Sequence, residues 1–362
     1  MTGRFVVDWA IMAVSLFDTI LLLWLGLAVI LNADRRHWGI WLAGGGLLLG
    51  SAFFVSHTAI LGHGLHSDGV GTDFWWRAGW VPVLVLPFIW YVVMLWYAGY
   101  WDPAGGRVRR RHRLWLLLGT LLLLGLGLLF LLANPLPTYY QVIRFDLSGR
   151  PAVRGVALLI LLYPIYALGA ILLSLDAVWR PAPSGRVMGD VARRRARPWL
   201  VGASVVVLLV AAVVGLAMAG VVLGVRGRLQ LPATLSRITV VAVLDVTLAS
   251  LIGAAVVLLG QAVVAYEVFT GKALPRRGLL RHWQRAVGLA AGFGLVVGWS
   301  MALGVNPIYG LLLAAGLMTF FYALLSWRSY AERERYIDAV RPFAASPRLY
   351  EYLVSHPADP AP

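Results

Sequence analysis

The sequence predicts an all-α, polytopic membrane fold with about nine transmembrane helices, the N-terminus outside and the C-terminus cytoplasmic. Three observations carry this. The 362 residues are 60% hydrophobic and only 13% charged, whereas a soluble domain carries roughly 25% charged residues. Apolar runs long enough to cross a bilayer recur along the chain; a span needs about 20 residues, because the hydrocarbon core is ~30 Å thick. The basic residues fall in clusters between those runs, as topogenic signals do. Runs of this length must be helical, since lipid offers a free backbone amide no partner.

In chain order the spans are expected near 7–32, 38–62, 76–99, 113–133, 153–178, 199–223, 236–268, 286–304 and 307–327. Arg4 is the only early positive charge, and the apolar stretch after it is too long for a signal-peptide core. It therefore reads as the first span. The second and third spans carry Trp38, Trp41, Trp75, Trp76, Tyr97, Tyr100 and Trp101 at their edges, the pattern of an aromatic belt. Pro82 and Pro87 bend the third span ahead of Trp90 and Tyr91, and Pro164 does the same in the fifth. The seventh run is long enough to tilt or to project beyond the bilayer. Gly288, Gly292, Gly294 and Gly298 place two small-residue repeats on the eighth, suited to close packing within the fold or in a homodimer. Gly304-Val305-Asn306-Pro307 turns the chain into the ninth.

Alternate loops divide the 31 basic residues unequally. One side, including the tail, holds 23, and the other holds 8. The richer side is the cytoplasmic one. Four regions follow: a seven-helix domain over 1–269, a basic cytoplasmic loop over 270–285, a two-helix hairpin over 286–327 and a cytoplasmic tail over 328–362. The formal charge of +15 has this topological explanation, so the bilayer and not nucleic acid is the expected partner.

Polar residues inside the spans are the candidate functional groups, because burying an ionisable side chain at membrane depth costs several kcal/mol unless it is paired. Ser15, Asp18 and Thr19 make a polar stripe on the first span, with Asp8 seven residues before Ser15. Asp245 lies ~12 Å below the start of the seventh span, counted from Arg237. His57 lies ~8–12 Å inside the same edge. Asp18, His57 and Asp245 thus share a comparable depth and, with Trp90 and Tyr91, make a candidate sensing pocket. Each has a plainer reading as a packing contact. His63, His66 and Asp68 follow His57; imidazole and carboxylate suit Zn or Cu, and histidines there can also titrate with external pH or serve the interface alone. The only lysine, Lys272, lies in a basic loop, which excludes a retinal Schiff base in a span. No cysteine, Walker loop, HExxH, GxSxG or CxxC occurs, and the chain is not expected to be an enzyme.

The stretch 261–278, QAVVAYEVFTGKALPRRG, looks like the point at which the last helix of a sensor region enters the cytoplasm. The tail pieces ERERYIDAVRPF and SPRLYEYLV look like linkers that lead to a GAF or kinase domain. On these segments and the topology, residues 1–270 resemble the seven-helix sensor regions of bacterial histidine kinases. Two extra spans depart from that pattern, and no kinase histidine box or ATP-binding motif is present. The resemblance implies a sensor portion in a bacterial inner membrane, without its own kinase domain. It would work through a cytoplasmic kinase or a GAF-containing partner, with Arg333, Arg335 and Tyr336 relaying the signal. A transporter or channel using the intramembrane acids, and a scaffold subunit, are the competing expectations.

Overall fold

The computed structural model describes residues 4–31, 38–63, 70–132, 136, 138, 139, 141, 152–153, 156–183, 189–225, 237–266, 276–304 and 313–318. The chain divides into two compact units, Met1–Val305 and Asn306–Pro362. Among its described residues the first contains eight long α-helices: α1 (Phe5–Leu31), α2 (Trp38–His63), α3 (Val70–Tyr97), α4 (Gly106–Leu132), α5 (Leu158–Trp179), α6 (Gly189–Val225), α7 (Arg237–Tyr266) and α8 (Arg276–Ala302). All eight are long and apolar enough to cross a membrane. In the second unit, 313–318 is helical; the rest of the expected ninth span lies outside the described residues, as do Arg333, Arg335 and Tyr336.

Helix boundaries differ from the apolar runs in one consistent way. α4 begins at Gly106 and not near 113, α6 at Gly189 and not near 199, and α8 at Arg276 and not near 286. The arginine clusters there form the first turns of the helices. The apolar run marks where hydrocarbon begins, whereas the backbone bonds that define a helix continue into water. The fifth helix starts late, at Leu158. Before it, Ala152–Val153 and Val156–Ala157 pair as a two-residue antiparallel ladder, where a helix was expected from 153.

Six helices close into a ring. α1 packs on α2, α2 on α3, α3 on α5, α5 on α6, α6 on α7, and α7 returns to α1. α4 lies outside this ring against α3 and α5, and α8 lies outside it against α1 and α7. Small residues permit the α8 contact: a Cβ at Gly294 would sit 2.5 Å from the Ala13 carbonyl oxygen, and one at Gly298 would sit 2.8 Å from the Ala13 nitrogen. Gly260 of α7 leaves space in the same way for the buried Trp283 of α8. The part of the expected 286–327 hairpin that is described as α8 therefore belongs to the compact unit of the first seven helices.

Helices consecutive in the chain run in opposite directions, so α3 and α5, and likewise α7 and α1, are parallel neighbours in the ring. Ions and hydrogen bonds lace the arginine-rich end. α3 finishes in a Schellman turn: Tyr100 N–H donates to the Leu95 carbonyl, Gly99 N–H donates to that of Trp96, and Gly99 takes φ +82°. Arg193 of α6 then bonds Asp102 at 3.0 Å and the Ala182 carbonyl at 2.9 Å, while Tyr97 donates to the Arg193 carbonyl at 2.6 Å. Asp176 of α5 takes Arg111 at 2.9 Å and the fully buried His112 at 3.3 Å from α4. The Tyr91 hydroxyl completes that cluster, 3.0 Å from His112 Nδ1. The sequence signal for that cluster was His112, hidden inside the run Arg109–Arg113.

Candidate functional site

At the opposite end the polar groups of three helices meet. His57 of α2 places Nε2 3.0 Å from each carboxylate oxygen of Asp245 on α7. Its Nδ1 lies 3.1 Å from Ser15 Oγ on α1, and Ser15 Oγ lies 2.7 Å from Thr58 Oγ1. With the imidazole neutral, every donor has a place: Thr58 donates to Ser15, Ser15 to Nδ1, and Nε2–H to Asp245. Thr19 Oγ1 turns back onto the Ser15 carbonyl at 2.8 Å, and Ser51 Oγ donates to the Thr19 carbonyl at 3.1 Å. The chain of bonds ends on Asp245, whose side chain keeps 30% of its surface accessible.

Asp18 does not join this cluster. Residues three and four apart on a helix differ by roughly 60° and 40° from the starting position, on opposite sides. Ser15 and Thr19 accordingly face α2, while Asp18 turns toward α7. There its carboxylate packs on Gly253, with Oδ1 2.7 Å from where a Cβ would stand. Asp18 is fully buried, and neither of its carboxylate oxygens has a hydrogen-bond partner among the described residues. Tyr91 is also elsewhere, pointing to His112. Its neighbour Trp90 faces the ring interior and donates from Nε1 to Ser204 of α6 at 3.2 Å.

The ring encloses a cavity of about 520 Å³ lined by all six of its helices. Small-molecule sites commonly span ~300–1,000 Å³. It runs along α7 from Asp245 to Val263, which is ~27 Å of helix at ~1.5 Å per residue. Its walls are aliphatic and aromatic almost throughout. The His57–Asp245 pair stands at one end, beside Trp76, Trp80 and Tyr163. Those rings interlock: Trp76 lies 5.8 Å from Trp80, Trp80 lies 5.6 Å from Tyr163, and Tyr139, from the segment after α4, lies 5.7 Å from Trp76. Burial and the charge of Asp245 both push the Tyr139 hydroxyl above the ordinary phenol range.

An Asp–His–Ser order on one imidazole is also the order of a hydrolase triad. Ser15, however, is fully buried, is held by Thr58 and does not line the cavity. Only the His57 and Asp245 members face space that a ligand can enter. Three metal-ligating side chains gather nowhere among the described residues; the His63 side chain, His66 and Asp68 lie outside them.

The helices and this cavity define the class: a multi-pass helical membrane protein with an apolar chamber inside a six-helix ring. The chain matches no protein-family model, and no curated protein or solved structure is detectably similar to it.

Proposed function

We propose that this protein is a receptor of a bacterial inner membrane that binds an elongated apolar molecule within its six-helix ring and relays occupancy to its arginine-rich, cytoplasmic end. The chamber carries the reading. It is long, narrow in chemistry and polar at one end only, which suits a ligand lying along the membrane normal with its head near His57 and Asp245. The positive-inside rule supports the orientation, with the N-terminus and the His57 end outside. The ion-paired lacing around Asp102, Arg193 and Asp176 supports a receptor over a channel, because it ties α3, α4, α5 and α6 together where a through-path would leave the ring. A ligand shifts such a ring only if it binds two packings unequally. The signalling partner in this reading is a cytoplasmic kinase or GAF-containing protein reached through the tail.

The test is occupancy. Protein purified from its membrane and then denatured should release an elongated apolar molecule near one per chain, read by mass spectrometry. Ala211→Trp, which fills the chamber from α6, should lower that yield by about tenfold, or ~1.4 kcal/mol of affinity. Equal yields from the two proteins, or none from either, would sink the receptor reading.

A further inference from the structure

The chamber's polar end has a sign as well as a position. Asp245 is the only carboxylate that lines it, and no arginine or lysine does so among the described residues. His57 occupies one side of that carboxylate through Nε2. Each carboxylate oxygen has two lone-pair directions, so acceptor capacity remains on the side that faces the chamber. Trp76, Trp80 and Tyr163 line the same chamber, and Tyr139, which feels the charge of Asp245, lies tilted against Trp76 at 5.7 Å. Aromatic faces carry the negative side of a quadrupole and attract cations within ~6 Å, tryptophan most strongly. A carboxylate and a cluster of aromatic rings lining one chamber is the chemistry that recognises an ammonium group. Away from water both attractions strengthen.

The other head groups fit less well. A carboxylate, sulfate or phosphate would be brought against the charge of Asp245. A hydroxyl can donate to Asp245 but gains nothing from the ring faces. Beyond the aromatic end, the chamber continues past Leu47, Ile89 and Val256 to Val263 with aliphatic walls, matching a hydrocarbon tail.

Resting on the receptor reading above, we infer that the ligand class is a cationic amphiphile: a primary or quaternary ammonium head held by Asp245 and the Trp76–Trp80–Tyr163 rings, with a single long hydrocarbon tail along the chamber. Nothing covalent is required. The titratable side chains that line the chamber among the described residues are His57, Asp245 and Tyr163, with Tyr139 packed against Trp76.

Three probes of equal tail length separate this from its alternatives: dodecyltrimethylammonium, dodecanol and dodecyl sulfate. Each is added below its own micelle concentration to the full chain in lipid nanodiscs. Binding is read by tryptophan fluorescence and by the shift in thermal unfolding, with Ala211→Trp as the blocked control. The ammonium probe should bind roughly tenfold tighter than the alcohol, and the sulfate weakest of the three. In Asp245→Asn the ammonium preference should shrink to within about twofold of the alcohol. Trp80→Leu, which keeps the carboxylate but removes a ring, should weaken the ammonium probe about threefold or more.

Alcohol or sulfate binding as tightly as the ammonium would overturn the cationic assignment and leave the receptor reading intact. So would an unchanged preference in Asp245→Asn. If no probe distinguishes the natural protein from Ala211→Trp, the receptor reading itself fails. Should Asp245→Asn not fold, the three-probe ranking on the natural protein and Trp80→Leu still decide.

Discussion

Two aspartates illustrate how differently one residue type can be used at membrane depth. Asp245 has a partner and an open side. Asp18 stands at the midpoint of α1, fully buried, with its two oxygens unmatched among the described residues. An unmatched polar group in a low-dielectric interior costs free energy, and leucine is close to aspartate in shape. Replacing buried charged groups by apolar ones of similar volume is often neutral or stabilising by ~1–4 kcal/mol. Asp18→Leu should accordingly raise unfolding stability by ~1–3 kcal/mol, measured as a thermal shift in detergent. A fall in stability would mean that the carboxyl group holds α1 to a partner. The sequence showed that Asp18, His57 and Asp245 are each costly where they stand. It did not show which helix each one faces, because a step of one residue turns a side chain by ~100°. Trp90 and Tyr91 make the same point: adjacent in sequence, they point to the chamber and to His112 respectively.

At the scale of the element, close packing and ion pairing do separate jobs. α8 is docked on α1 by absent side chains. Gly298→Leu would drive a Cβ to within 2.8 Å of the Ala13 backbone, and overpacking of this kind costs ~1–3 kcal/mol. The expected result is faster amide hydrogen exchange along α8, with α2 and α3 little changed. Equal exchange in α8 would show that the contact with α1 is not what holds it. α4 depends instead on polar contacts, since among its residues only Val108, His112 and Leu126 are buried. Asp176→Ala removes the acceptor shared by Arg111 and His112. Because Asp176 is about one-third exposed (36%), solvent screening reduces its contribution, and a loss of ~1–2 kcal/mol is expected. It should appear as loosened α4 exchange; uniform loosening of the whole ring would instead place Asp176 in the common core. The glycine pattern on α8 was legible in the sequence, although the helix it serves was not. The Asp176–His112–Tyr91 cluster was not legible, because its members lie on three helices and one of them sits among arginines.

For the whole molecule, the question is which way the ring stands in the bilayer. The chain contains no cysteine, so single introduced thiols report cleanly. Gly71→Cys lies at the His57 end and Arg110→Cys at the arginine-rich end, both at exposed positions. A membrane-impermeant maleimide should label Gly71→Cys in intact cells and Arg110→Cys only after lysis. The reverse pattern would invert the protein and place the His57–Asp245 site toward the cytoplasm.

By itself the sequence determined that this is a helical membrane protein, and roughly where the eight described spans lie. Those properties depend on the local hydropathy of about 20 consecutive residues and on where basic residues fall, and both can be read along one dimension. It also marked His57 and Asp245, because an ionisable side chain in hydrocarbon is conspicuous wherever it occurs. Only the tertiary structure decided that those two meet, that Asp18 and Tyr91 stand apart from them, and that six of the helices enclose a chamber while α4 and α8 remain outside. The physical reason is that lipid tails are as apolar as the helix faces. Hydropathy therefore cannot distinguish a face toward lipid from a face toward a neighbour, and the order of helices around the ring is set by shape and by scattered polar contacts that no single stretch of sequence contains.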